Sequence, residues 1–419
     1  MRRNQLVLYR EPEHREILDY MEELQGGDDT HLFDVLNSLT ELAARHGLDG
    51  NVWHDYLAFI LAQHENAFST ACEVRGNVSG SIRIMAEHDF KKIREWFRLD
   101  LLSLDRKYGT DLFGVLADYK SVSGSSKVYN QRVRDRILML AKELSNAANE
   151  EEFTNAVTDF YKHFGVGKFG LHKAFRIENN DGTVDIVPIT KTEHVKLSDI
   201  IGYESQKALL VENTEAFLNG KRANNVLLYG DAGTGKSSSI KAIMNEYYDR
   251  GLRLIELYKH QMRDITEVLA QIKNRNYKFI LYMDDLSFEE FETDYKYMKA
   301  VIEGGMERRP ENVLLYATSN RRHLMKETFS DARTGDDDLH PTDSIQERLS
   351  LAARFGIQIY YGKPVKKEYM DIVRGIAKKE GLLLSDEELM LLANQWELSH
   401  GGRSGRAASQ LVTYLLGKQ

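Results

Sequence analysis

The run Gly230-Asp231-Ala232-Gly233-Thr234-Gly235-Lys236-Ser237 sets glycines, a lysine and a hydroxyl at the spacing of a phosphate-binding loop. The glycines let backbone N–H groups turn inward around a β-phosphate, and the N-terminus of a following helix adds its positive dipole end. In this pattern Lys236 reaches the β- and γ-phosphates, and Ser237 is a ligand for Mg²⁺. A second chemical element lies downstream, where Phe279-Ile280-Leu281-Tyr282-Met283 runs into Asp284-Asp285. Asp284 is suited to hold the water shell of the magnesium, and Asp285 to orient or polarise an attacking water. Asp285 is one methylene shorter than a glutamate, so Glu289 and Glu290 stand as alternatives for the second role.

Both elements need a strand to carry them. Short apolar runs at Asn225–Tyr229, Leu252–Leu257, Phe279–Met283, Val313–Thr318 and Gly356–Tyr361 alternate with helical segments. Strands that are apolar on both faces and separated by helices predict a parallel, doubly wound α/β sheet. The phosphate loop falls between the first of these strands and a helix from Lys236 to about Tyr248, which is where its chemistry requires it. After Pro364 the chain reads as helix again, with a capping box at Ser385-Asp386-Glu387-Glu388.

Residues 1–195 have a different texture. Phe90, Ile93, Phe97, Leu101, Leu104 and Tyr108 recur at spacings of three and four before Gly109. Leu32, Leu36, Leu39 and Leu42 do so before Gly47, and Val133, Ile137, Leu140 and Leu144 repeat the pattern. Of five prolines only Pro12 precedes residue 188, as a helical region requires, since an interior proline costs a helix about 3 kcal/mol. The Ser-rich stretch 121–126 reads as a loop. Lys173–Glu178 and Val184–Ile189 alternate around a turn, predicting a β-hairpin. The expected organisation is a helical domain at 1–172, a hairpin and linker at 173–195, a nucleotide-binding core at 196–362 and a helical lid at 363–419.

Composition narrows the classes. The 419 residues carry 56 Lys and Arg against 64 Asp and Glu, a net charge of -8, which argues against a general binder of nucleic-acid backbones. Residues 1–195 hold 24 of the basic and 31 of the acidic side chains, leaving 32 and 33 for the remainder, so the acidity belongs to the first half. That half is the expected adaptor surface. One cysteine excludes an internal disulfide and a Cys-based zinc cage. With no apolar run near 20 residues, the chain reads as cytoplasmic and not membrane-spanning.

The remaining motifs follow in a telling order. Val313–Thr318 leads to Ser319-Asn320; Glu347-Arg348 and Arg354-Phe355-Gly356 precede the last strand; Gly401-Gly402-Arg403-Ser404-Gly405-Arg406 opens a helix. As an ordered set over about residues 196–419, this resembles the AAA+ superfamily of ATPases. More closely, Met283–Glu289 and Tyr316–Leu324 resemble the bacterial AAA+ family known as domain of unknown function eight-fifteen. The resemblance implies an αβα core with a small helical lid. It also implies roles. Asn320 becomes the sensor facing the γ-phosphate, beside the strand that carries Asp284. Arg354 becomes the arginine finger acting on ATP held by a neighbouring subunit, with Arg348 as alternative. Arg406 becomes the lid sensor, with Arg403 as alternative, and Ile201 and Gly202 belong to the segment that packs on adenine.

Other signals carry less. Arg321-Arg322-His323 reads as a solvated loop or subunit contact, and 335–340 as an acidic insertion without the spacing of a calcium loop. No His-x-x-x-His pair of a zinc hydrolase occurs. Where AAA+ unfoldases carry an aromatic–apolar–glycine loop, this chain has Tyr258-Lys259-His260-Gln261-Met262; Tyr258 is a candidate substrate contact, and processive unfolding is not favoured. The expectation is a Mg²⁺-dependent, oligomeric ATPase that remodels or loads a protein or nucleic-acid partner. Its alternatives are an ATP-gated binding module with little hydrolysis and, third, a small-molecule kinase.

Overall fold

The computed structural model describes residues 5–10, 12–121, 131–180, 182–286, 310–320, 354–399 and 402–418. The chain divides into two compact units, Met1–His172 and Lys173–Gln419.

The first unit is helical. At its centre is helix Val52–Gln63, ten of whose 12 residues are buried, so helices must cover it on every side. Trp53 Nε1 donates to Trp96 O at 2.9 Å and Tyr161 OH donates to Leu61 O at 2.7 Å, tying neighbours to this axis. The buried Asp89 carboxylate accepts from the N–H groups of Val7, Leu8 and Tyr9, which fixes the N-terminal segment. Asp55 is less well satisfied. It is 4% exposed, and its Oδ2 has no hydrogen-bond partner among the described residues. Burial, with a smaller contribution from the charge of Asp49, pushes its carboxyl up to about 8.

The stripe from Phe90 to Tyr108 spans two helices, Ser81–Phe97 and Leu101–Tyr108. Asp100 separates them because its side chain accepts from Leu102 N and starts the second helix. Gly109 and Gly47 close their helices in the left-handed conformation. Most of the Ser-rich stretch lies outside the described residues.

The second unit contains a seven-stranded sheet: β1 (Ala174–Asn180), β2 (Thr183–Pro188), β3 (Val226–Gly230), β4 (Leu252–Glu256), β5 (Lys278–Met283), β6 (Val313–Ser319) and β7 (Ile357–Tyr361). Their order across the sheet is β2-β1-β4-β5-β6-β3-β7, parallel except for β1 against β2. The hairpin expected as a junction at 173–195 is therefore part of this sheet. β1 pairs with β4 from Ala174↔Leu254 to Arg176↔Glu256, and covers a backbone edge that would otherwise stand open.

Every residue of β6 is buried, and the bulkiest polar side chain among them, Tyr316, is satisfied by partners on a neighbouring helix. Tyr316 OH meets Thr214 Oγ1 at 2.8 Å and accepts from Asn213 Nδ2 at 3.1 Å. Three helices, Lys366–Glu380, Asp386–Ser399 and Gly405–Leu416, form a small bundle around Tyr369, Val373 and Leu411. The expected capping box is present at Ser385, whose Oγ accepts from Glu388 N at 3.3 Å while Glu388 Oε2 accepts from Ser385 N at 3.3 Å.

Candidate functional site

The phosphate loop joins β3 to helix Lys236–Tyr247. Gly230 ends the strand, and Asp231 anchors the loop to the end of β7. Its N–H donates to Tyr361 O at 3.0 Å and its Oδ2 accepts from Lys363 N at 2.9 Å. Ala232 is exposed, Thr234 Oγ1 donates back to Asp231 O at 2.8 Å, and Gly235 caps the helix. Lys236 is buried, with Nζ 2.6 Å from Asp231 O and 3.1 Å from Gly230 O. Burial lowers its pKa, while the charges of Asp231, Asp285 and Asp284 act in the opposite direction.

The register explains how the acids arrive. Met283 pairs with Ala317, so the next residues, Asp284 and Thr318, face each other at the ends of β5 and β6. Thr318 Oγ1 donates to Asp284 Oδ1 at 2.6 Å, and Ser237 Oγ donates to the same oxygen at 2.8 Å. Burial works to raise the Asp284 pKa; the Thr318 and Ser237 hydrogen bonds are among the influences that outweigh it and leave the carboxyl below its usual value. Asp285 follows with φ 53°, a left-handed conformation seldom taken by residues other than glycine. Its N–H donates to Thr318 Oγ1 at 2.9 Å, and its Oδ1 accepts from Asn320 Nδ2 at 2.7 Å.

The lid closes another side. Arg406 N donates to Gly233 O at 3.1 Å, and a Cβ on Gly233 would lie 2.9 Å from Arg406 Cβ, so only glycine permits this approach. Arg403 instead pairs with Glu397 at 3.2 Å. Ile201 packs against helix Lys366–Glu380 where a Cβ on Gly375 would stand 1.9 Å from its Cδ1. Gly202 makes the left-handed turn beside it, and Tyr203 stacks on Tyr361 with centroids 5.0 Å apart.

These parts enclose a cavity of about 660 Å³. Gly233, Thr234, Gly235, Lys236 and Ser237 line it with Asp284, Asp285 and Asn320, and Ile200, Ile201, Ile372 and Ile376 add apolar surface. The size and the combination of polar and apolar lining fit a nucleoside triphosphate. Ser237 Oγ and Asp284 Oδ1 form a hard-oxygen pair that fits a magnesium ion retaining most of its water.

Of the residues singled out from sequence, Ile201, Lys236, Ser237, Asp284, Asp285, Asn320 and Arg406 converge on this cavity. Arg354 is half-buried ahead of β7 and does not line it. Arg348, Glu289, Glu290, the 321–323 run and the 335–340 stretch lie outside the described residues. Tyr258 is 47% exposed after β4, its ring parallel to that of His260. Thr318 is the residue the sequence reading passed over. Its signal was a hydroxyl at the end of an apolar strand, in register with Asp284.

The strand order β4-β5-β6-β3-β7, the phosphate loop after β3, the paired aspartates after β5 and the helical lid together define an AAA+ P-loop nucleotide-binding protein. The chain belongs to the family described as "Protein of unknown function (DUF815)", which matches residues 170–419 and thus includes the β1–β2 hairpin. Among curated proteins it is similar to the replication factor C large subunit of Staphylothermus marinus, 36% identical over 76 residues. It is also similar to replication factor C subunit 3 of Schizosaccharomyces pombe, 31% identical over 108 residues. These matches span 18% and 25% of this chain, and 17% and 30% of the relatives' lengths. Among solved structures, the Thermotoga maritima RuvB Holliday junction branch migration motor aligns at TM-score 0.38 and 17% identity, over 52% of this chain and 63% of that one. C. elegans PCH-2 aligns at TM-score 0.38 and 16% identity, over 53% and 65%. Among the described residues no helix is long and apolar enough to cross a membrane.

Proposed function

We propose that this protein binds ATP with Mg²⁺ and hydrolyses it to drive a conformational change in a macromolecular partner. The observation that carries the reading is the Ser237 Oγ–Asp284 Oδ1 contact of 2.8 Å at the mouth of the phosphate loop, which joins the two elements that a metal–triphosphate complex needs in one place. When bound, Mg²⁺ supplies charge neutralisation at the phosphate oxygens. Ser237 and Asp284 hold it. Lys236 extends from the loop carbonyls to the β- and γ-phosphates, and loop N–H groups with the helix N-terminus receive the β-phosphate. Asp285 orients the attacking water and Asn320 contacts the γ-phosphate. Arg406 reaches the phosphates from the lid, and the base lies against Ile201 and Gly202. Arg354 completes the site of an adjacent subunit, so the active form is a homo-oligomer.

The test is phosphate release from MgATP by the full-length protein, set beside Lys236→Ala. Turnover that the substitution abolishes supports the reading, and turnover that it leaves unchanged overturns it.

One observation favours a second reading, ATP-gated binding with little turnover. The Asn320 Nδ2 bond to Asp285 Oδ1 engages the carboxylate that would orient water. On that reading the helical unit, or a surface on the nucleotide-binding unit, holds a protein or nucleic-acid partner only in the ATP state. Partner retention that needs ATP but not its hydrolysis separates the two.

A further inference from the structure

We propose that Thr318 is a positioning residue for hydrolysis, using one hydroxyl to set both carboxylates of the site. The inference rests on the ATPase reading above and assigns a part to a residue outside the motifs on which that reading was built.

Thr318 is 2% exposed, so a polar atom there must be spent on protein partners. Its single proton goes to Asp284 Oδ1 at 2.6 Å. Its oxygen accepts from Asp285 N at 2.9 Å. Its own carbonyl accepts from Leu286 N at 2.6 Å. Three consecutive residues of the loop after β5 are thereby tied to one residue of β6.

The middle one needs the tie most. Asp285 sits at φ 53°, where a Cβ is disfavoured, and nothing in its own side chain compels that turn. The hydroxyl of Thr318 takes up the N–H that this turn directs inward, and so offsets its cost. The turn in turn aims the Asp285 carboxylate at Asn320. The same hydroxyl also holds Asp284 Oδ1 beside Ser237 Oγ, so the metal-binding oxygen and the water-orienting carboxylate share one anchor.

A valine keeps the branched shape and the strand preference but has neither the proton nor the lone pair. A serine keeps both. Thr318→Val should lower kcat about tenfold or more while KM for ATP changes little and the melting temperature falls by only about a few degrees; Thr318→Ser should recover most of the rate. A purely structural threonine would show the fall in melting temperature in Thr318→Val with an unchanged kcat for the protein that stays folded. Equal rates for valine and threonine overturn the proposal, as does a loss confined to KM.

A second readout stands apart from turnover. In hydrogen–deuterium exchange of the full-length protein, the Asp285 amide should exchange about tenfold faster in Thr318→Val and at the wild-type rate in Thr318→Ser. If wild-type protein releases no phosphate, the ATPase reading fails, and the exchange result alone decides whether Thr318 sets the turn. Unchanged protection in the valine variant overturns it.

Discussion

Asn320 Nδ2 donates to Asp285 Oδ1 at 2.7 Å, joining the residue after β6 to the left-handed residue after β5. The two side chains face the same cavity as Ser237 and Lys236. The pair gives two substitutions the same expectation, ATP binding kept and turnover lost. Asn320→Ala should leave ATP binding close to wild type and lower kcat about a hundredfold, because a donor near the developing charge is lost. Asp285→Asn should also arrest turnover while preserving bound ATP. Equilibrium binding of a fluorescent ATP analogue beside phosphate release checks both.

Lys236→Ala should weaken ATP binding and remove turnover by at least about a hundredfold, as the buried cation next to the loop carbonyls is lost. Isothermal titration with ATP in the presence and absence of Mg²⁺ measures the binding part. Unchanged affinity would put the nucleotide elsewhere.

The lid arginines should separate cleanly. Arg406 lines the cavity beside Gly233, whereas Arg403 is paired with Glu397. Arg406→Ala should weaken ATP binding about tenfold, the worth of one charge-assisted hydrogen bond, and Arg403→Ala much less. The reverse ranking would mean that the lid meets the nucleotide in another arrangement.

Arg354 does not line the cavity of its own chain. If Arg354 serves a neighbouring subunit, as proposed above, specific activity should rise with protein concentration, and Arg354→Ala should flatten that curve while leaving ATP binding intact. A strictly monomeric protein with concentration-independent activity would remove Arg354 from the site.

Asp55 makes stability pH-dependent. In the folded helical unit burial holds its proton up to about pH 8, while an unfolded aspartate gives it up near 3.9. Between these values the unfolded state binds fewer protons, so stability falls as pH rises and levels off above about pH 8. Asp55→Asn should abolish this slope and gain on the order of a few kcal/mol relative to wild type at pH 8. Urea unfolding followed by tryptophan fluorescence at pH 6 and pH 8 measures it, since Trp53 and Trp96 both lie in that unit's core.

The residues that line the candidate site were largely legible because its motifs are written in local runs. A glycine-rich loop, a strand ending in Asp284-Asp285 and a strand ending in Asn320 each declare themselves within eight residues. Thr318 was not legible, since its importance comes from the register of β5 against β6 and not from any run it belongs to. Which of Arg403 and Arg406 lines the cavity likewise depends on the lid fold, where Glu397 pairs with the other. In the helical unit the apolar periodicity from Phe90 to Tyr108 was correct but concealed a break, because the stripe continues across the cap at Asp100. The hairpin was foreseen as an element; its partner was not, as pairing with β4 depends on residues more than 70 positions away.

That pairing bears on how the protein can be handled. A fragment cut at residue 196, ahead of helix Glu204–Leu218 and β3, would discard β1 and β2 and strip the outer edge of β4. The exposed row of backbone donors and acceptors would be a template for intermolecular strand addition. Gln261 would also lose the Ile177 carbonyl to which it donates at 2.8 Å. A fragment that begins at Lys173 keeps the edge covered and should remain dispersed where the shorter one precipitates.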